Sequence, residues 1–319
     1  MAGSYRKIDY RVRPAKSIER KMLADGIRRL AEFERLDSYR YIGFGSLYFT
    51  DFILFHKALG FKLMQSIENE QDIIKQERFR YNVPYKCINM AFGASSAILP
   101  TLPWDVKSVI WLDYDGALTK GVLEDIAYVV SKAVSGSMLL VSVNAGIPRS
   151  EDEENTNPLD ILKSQIGAEK IPADINARDL SGWNVAKVYR DIIDNEIADT
   201  VATVNRGRSI GCKCNYNQLF NFHYEDGVKM LTVGGIIYDE GDEKILAKCS
   251  FDQLEFYKDA KDAYKIDPPL LTYQEMRKID SLIPLDDHDY LKIPVPRADI
   301  NKYQNFYRYF PHFAETEIR

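Results

Sequence analysis

Cysteine and histidine are both scarce, with four of each among 319 residues. Cys87, Cys212, Cys214 and Cys249 are too few for a disulfide framework in a chain of this length, and the Cys212/Cys214 pair lacks the two-residue gap of a zinc knuckle. His56, His223, His288 and His312 are scattered along the chain and take no role. No metal site is expected. No run approaches the roughly eighteen consecutive apolar residues of a membrane span, and the opening MAGSYRKIDYRVRP has no apolar signal core. The expectation is a cytoplasmic protein with no membrane contact. Internal repeats and low-complexity tracts are also missing.

What is present is ordinary globular material: 45% hydrophobic and 28% charged residues, enough for a full core and an appended subdomain. The net charge of −5 is unevenly spread, because residues 1–40 carry eleven Lys/Arg against six Asp/Glu. A basic arm on an acidic body suits a phosphate, a nucleic acid or an acidic protein partner. Near the other end, Tyr303, Phe306, Tyr307, Tyr309, Phe310 and Phe313 predict a docking face for a helix or a second subunit, hence an oligomer or complex.

Periodicity predicts an amphipathic helix over 17–36, capped by Ser17, with Ile18, Met22, Leu23, Ile27, Leu30 and Phe33 on one face. Strands are expected at 40–45, 61–67, 87–92, 108–112 and 138–143, alternating with helices at 50–59, 69–80, 95–99 and 122–133. Gly60 stands where the first of these helices should end. Such alternation implies a doubly wound, mostly parallel Rossmann-like sheet. Polarity rises over 150–158, read as a surface excursion or lid. Asp226-Gly227 between two apolar runs is a hairpin signal, so antiparallel strands should close the sheet. Residues 251–319 look helical with proline breaks. The expected organisation is a basic arm and helix (1–37), a Rossmann-like domain (38–240) with an insertion at about 148–216, and a helical C-terminal extension (241–319).

Four stretches stand where strands of this sheet would end: YIGFG (41–45), SIENE (66–70), GASSAILPTL (93–102) and VIWLDYDG (109–116). Strand ends of that kind bind nucleotide-like ligands. Gly43 and Gly45 would let the backbone approach a ligand, and the helix start after them supplies free N–H groups. Glu68, at the end of the second strand, can accept both hydroxyls of a ribose. Asp113 and Asp115, spaced i, i+2, could share a loop with both carboxylates near the ligand. If close together, one of them would bind a proton more readily.

These residues resemble the class I S-adenosylmethionine-dependent methyltransferases, and among them the small-molecule O-methyltransferases. GASSAILPTL is similar to that family's third motif, WLDYD (111–115) to its fourth, and GSMLLVSVN (136–144) to its fifth strand. The resemblance covers roughly 17–147 and 217–238. It implies S-adenosylmethionine as cofactor, with Gly43, Gly45 and Ser46 facing its methionine part and Glu68 its ribose. Phe92, Ala94 and Ser95 would flank the adenine. Asp113 would lie beside the transferred methyl, with Asp115 holding the loop or the substrate. The acceptor, expected to be a hydroxyl, is not identified by any motif. Two other readings compete. LDYDGALT (112–119) also resembles the first motif of haloacid-dehalogenase-type phosphatases, with Asp113 as nucleophile and Asp115 as acid/base. A non-catalytic methyltransferase-like module in a larger complex is the other.

Overall fold

Short β-branched and aromatic runs broken by helical stretches are laid side by side here as one sheet with helices on both faces. The computed structural model describes residues 13–148 and 156–311. Its strands are β1 (Arg40–Gly43), β2 (Leu63–Glu68), β3 (Ile88–Phe92), β4 (Ser108–Ala117), β5 (Ser137–Asn144), β6 (Cys214–Glu225), β7 (Lys229–Asp239) and β8 (Tyr264–Ile266). The helices are α1 (Pro14–Arg28), α2 (Thr50–Leu59), α3 (Ile73–Tyr81), α4 (Ser95–Ile98), α5 (Lys120–Lys132), α6 (Pro158–Ile166), α7 (Asn184–Asn205), α8 (Glu243–Lys248), α9 (Tyr273–Asp280) and α10 (Arg297–Phe306).

The sheet order is β3-β2-β1-β4-β5-β7-β6-β8. β1 pairs in parallel with both β2 and β4, while β7 runs antiparallel to β5 and β6. The chain therefore winds outward from β1 to β3, then returns to β4 on β1's other side. That reversal, at the carboxyl ends of β1 and β4, is a topological switch point, the place where open α/β sheets carry their ligand crevice. The doubly wound sheet closed by an antiparallel hairpin is the architecture the sequence predicts. Asp226-Gly227 does make the hairpin turn, with Gly227 at φ 92°, and Gly60 ends α2 at φ 78°.

Three expectations need correction. β4 extends through Asp113 and Asp115 to Ala117, so the two aspartates lie on a strand and not on a loop. Within the region read as helical, Tyr264–Ile266 adds a strand parallel to β6. Ser17 does not cap α1, because Pro14 opens that helix and Arg13, at the cap position, makes no side-chain cap bond. The free N–H groups of Ala15 and Lys16 instead donate to the Asp226 carboxylate, at 3.2 and 2.9 Å. One hairpin turn thus caps a helix some 210 residues away in sequence and fixes where that helix sits. Asp226→Ala should cost about 1–2 kcal/mol, as loss of a charged helix cap does, read as a lower thermal midpoint. Asp226→Asn, which keeps an acceptor oxygen, should recover most of it.

Two hydrophobic clusters sandwich the sheet. α1 and α2 cover one face with Ile18, Met22, Leu23, Phe52 and Phe55 against Trp111 and Leu140. On the other face, α5 and α7 set Ile126, Val129, Tyr189 and Ile193 against Ile110, Leu112 and Val141. The C-terminal aromatics turn inward within the same chain. Tyr303 and Phe306 are buried, Phe306 meets Tyr264 edge-on at 6.2 Å, and the Tyr309 hydroxyl donates to Asp25 of α1 at 2.9 Å. Within this stripe Phe306 and Tyr309 join the cluster of α1, whereas Tyr303 packs with Ile279 of α9 and donates to Asp280 at 2.9 Å. Phe313 and most of the excursion expected at 150–158 lie outside the described residues.

Candidate functional site

Glu68 is the centre of the first half of the site. It ends β2 beside the β1–α2 turn, and its Oε1 accepts the backbone N–H of Ser46 at 2.6 Å and the Ser66 hydroxyl at 3.3 Å. Among the described residues no protein donor meets its other oxygen. Burial raises the carboxyl to about 7, although the Ser46 and Ser66 bonds pull the other way, and the charges of Asp51 and Asp115 add to the rise. The turn it holds is strained: Ser46 and Phe49 both sit in the left-handed region, at φ 53° and 47°, where side chains are rarely found. The Ser46 hydroxyl is buried with no hydrogen-bond partner. The strained turn thus gathers a buried hydroxyl without a partner and a carboxylate with one oxygen unused at the end of one strand, a polar cradle.

Both glycines of the turn are tightly surrounded. A Cβ on Gly43 would lie 2.7 Å from the Tyr41 hydroxyl, and one on Gly45 would lie 2.6 Å from the Phe49 ring and 2.8 Å from Ser66 Oγ. The protein's own side chains fill that space, so each glycine lets the turn pack on itself. Gly45 also donates its N–H to Ser66 Oγ at 3.1 Å.

Phe92 ends β3 half-buried, with the Arg80 guanidinium 4.8 Å from its ring centre. Ala94 is exposed at the start of α4. Ser95 hydrogen-bonds Asp125 of α5, which also accepts the Tyr114 hydroxyl at 2.6 Å. A nearly buried carboxylate from α5 therefore supports Ser95, and sequence reading missed it because Asp125 sits inside a helix with no motif around it. Gly93 donates to the Glu68 carbonyl at 3.0 Å, tying the β3 end to β2.

The second half of the site faces α1. Alternation along β4 puts Trp111 and Asp113 toward α1, and Leu112 and Tyr114 toward α5. Asp113 Oδ1 accepts the Lys16 ammonium at 2.7 Å, and Lys16 also meets Glu19 at 2.8 Å and the Tyr224 hydroxyl at 3.0 Å. The ammonium lies 4.3 Å from the centre of the Trp111 ring, a cation–π distance. Glu19 then bonds Thr232, whose hydroxyl meets Ser142 at 2.6 Å, and Ser142 accepts the Trp111 indole N–H at 2.9 Å. Side chains from α1, β4, β5, β6 and β7 thus form one connected polar network under the crevice.

Burial works against charge on both carboxyls, but with different outcomes. At Asp113 the Lys16 ammonium, backed by Arg20 and Arg13, more than offsets burial and holds the group below the usual carboxylate range. At Glu19 burial wins and the group is raised. The groups that favour their protons are Glu19 and Glu68, while Asp115 lies exposed at the rim, within electrostatic range of Glu68. Lys16, Glu19 and Arg20 were legible only as an oddity, three charges at i, i+3 and i+4 in register with Leu23 and Ile27 on the apolar face of α1. Among the described residues no three His, Cys, Asp or Glu side chains converge as metal ligands, and no helix is long and apolar enough to cross a membrane.

Comparison with known proteins gives a family. A family model described as "Putative O-methyltransferase" matches residues 8–318. No curated protein matches the chain. Among solved structures, Trm1 from Pyrococcus horikoshii in complex with S-adenosyl-L-methionine is 10% identical, covering 71% of this chain and 57% of its own, with a TM-score of 0.42. The O-methyltransferase TomG from Streptomyces achromogenes, in complex with SAM, is 16% identical over 67% of this chain and 79% of its own, with a TM-score of 0.35. An O-methyltransferase family protein from Burkholderia thailandensis is 12% identical over 69% and 56%, with a TM-score of 0.34.

Proposed function

The chain belongs to this O-methyltransferase family, matched from residue 8 to 318, and on that premise we propose that it transfers a methyl group from S-adenosylmethionine to a hydroxyl acceptor at the crevice between β1 and β4. The observation that carries the placement is the Glu68 cradle, with its strained Ser46 turn, orphaned hydroxyl and one uncommitted carboxylate oxygen at a topological switch point. Glu68 and Ser46 would hold the ribose and the methionine part, with Phe92, Ala94 and Ser95 lining the adenine side. Bound there, S-adenosylmethionine supplies an electrophilic methyl on a sulfonium.

The chain's own residues need to do little beyond positioning. Asp113 is the group of the α1 network that reaches the crevice, since its side chain is 26% exposed and those of Lys16 and Glu19 only 1% and 0%. Ionised and held by Lys16, it orients an acceptor hydroxyl by taking its hydrogen bond. As the O–CH3 bond forms and the S–CH3 bond breaks to leave S-adenosylhomocysteine, the hydroxyl proton passes along this hydrogen bond to Asp113 and on to solvent. A carboxylate held at low pKa is a weak base, so that transfer comes late and orientation is its larger contribution. This reading, together with family membership, displaces the phosphatase alternative and the non-catalytic one.

Calorimetry with S-adenosylmethionine tests the cradle. Glu68→Gln should weaken binding by about 1–3 kcal/mol, the loss when a charged hydrogen-bond acceptor is replaced. Because ribose hydroxyls donate to the ionised form, wild-type affinity should rise as pH passes from 6 to 8 through the Glu68 value of about 7, and Glu68→Gln should flatten that slope. Stability moves the opposite way. A raised carboxyl favours the folded protein in its protonated form, so its contribution is complete below the ordinary value of 4.5 and is lost as pH climbs to about 7. Glu68→Gln, a mimic of the protonated form, should therefore raise the thermal midpoint more at pH 8 than at pH 5. Unchanged affinity and a parallel pH profile would remove Glu68 from the site.

A further inference from the structure

The mechanism above needs an ionised Asp113 with a fixed orientation, yet a carboxylate among Trp111, Tyr224 and Tyr41 is in surroundings that favour its protonated form. What opposes this comes from outside the Rossmann-like sheet. Lys16 is anchored from several sides: its backbone N–H is held by Asp226 at 2.9 Å, and its ammonium by Asp113, Glu19 and Tyr224 above the Trp111 ring. Such an ammonium has little freedom to rotate away or to be replaced by water. It takes Oδ1 of Asp113, and among the described residues no protein donor meets Oδ2. From this geometry we infer that Lys16 is a positioning residue for methyl transfer: it keeps Asp113 ionised and aims Oδ2 into the crevice, so α1 is a working wall of the site.

The inference rests on the reading of Asp113 as the carboxylate at the acceptor, and it adds a role for the basic N-terminal segment. Arg13, Lys16 and Arg20 of that segment are buried, 8%, 1% and 5% exposed, with their charges turned toward Asp113, Asp51 and Asp226. Among the described residues, the titratable and charged groups facing Asp113 are Lys16, Glu19, Arg13 and Arg20 from the α1 segment, Tyr224 from β6, Asp51 from α2 and Tyr41 from β1. Of the two carboxyls that share this ammonium, Glu19 is the one that burial raises. Its Oε1 accepts the Thr232 hydroxyl, which meets Ser142, and Ser142 accepts the Trp111 indole N–H, which fixes the ring beneath Lys16.

The test is the titration of Asp113, followed by carbon NMR on protein labelled at aspartate Cγ, the resonance being assigned by its loss in Asp113→Asn. In the wild type the carboxyl should titrate below the ordinary 3.8. In Lys16→Met, which keeps the length and removes the charge, it should move up by one pH unit or more, and Lys16→Arg should restore part of the shift. Binding of S-adenosylhomocysteine should be unchanged in Lys16→Met, and its methyl transfer should fall with no further loss when Asp113→Asn is added. A wild-type value at or above 3.8, or one that stays put in Lys16→Met, overturns the proposal. If Lys16→Met does not fold, Lys16→Gln is read in the same way, and the wild-type titration stands alone as a test. If the titration behaves as expected but Asp113→Asn leaves methyl transfer intact, the coupling is real and the role of Asp113 is what fails.

Discussion

Asp113→Asn is expected to lower methyl transfer on the order of 10²–10⁴-fold, the range for loss of a positioned acid/base or orienting group, while affinity for S-adenosylmethionine changes little. Asparagine keeps the shape of the side chain and an oxygen for Lys16, so the wall of the crevice survives. What goes is the negative charge that accepts the acceptor's hydrogen bond. The fold should tolerate this because Lys16 has a second partner. With Asp113 neutral, Glu19 at 2.8 Å remains as the ion-pair partner of Lys16. The buried ammonium is thus never left uncompensated, the situation that makes broken buried pairs so destabilising. Radiolabelled donor with a panel of phenols, catechols and sugars gives the turnover, and thermal unfolding gives the control. Unchanged turnover on an acceptor that the wild type methylates would sink the role of Asp113.

Gly45→Val should destabilise the fold as well as remove donor binding. The added Cβ alone would stand 2.6 and 2.7 Å from two Phe49 ring carbons and 2.8 Å from Ser66 Oγ, distances that real Cβ atoms do not show. Phe49 is buried, in the left-handed region and immediately before α2, so it has little room to yield. Overpacking of this kind costs about 1–3 kcal/mol or more. Movement of the ring shifts Ser46, whose N–H bond to Glu68 sets the cradle, so binding of S-adenosylhomocysteine should be lost beyond what destabilisation explains. Calorimetry and thermal unfolding on the same sample decide this. A variant of normal stability that fails to bind would show that the space beside Gly45 belongs to the ligand.

The first half of the chain was legible because its signals are local. α2 begins and ends where the pattern and Gly60 place it, and the five parallel strands fall within a few residues of their expected positions. β4 outran its expected end because Asp113, Tyr114 and Asp115 break the apolar run that marks a buried strand, although Asp113 pairs with Ser142, Tyr114 packs on the α5 face, and Asp115 falls in the register shift before Ala117. Tyr264–Ile266 went unseen for a related reason. It is too short to show a period, and it pairs only because β6 presents an edge.

The glycine turn, Glu68 and the paired aspartates were candidates from spacing alone, since strand-end chemistry in an open α/β sheet is written in consecutive residues. The roles inside the site were not. That Gly45 makes room for Phe49, that Asp125 supports Ser95 and that Lys16 holds Asp113 all depend on contacts between segments far apart in sequence. By itself the sequence determined the alternation of strands and helices, hence the switch point and the line of strand ends where a donor can lie. Only the tertiary structure decided which charges meet. Periodicity shows that Lys16, Glu19 and Arg20 lie on the buried face of α1, but the partner of each is chosen by where Asp226 anchors the helix. Placing a charge in the interior is tolerable only where another chain segment supplies its counter-charge.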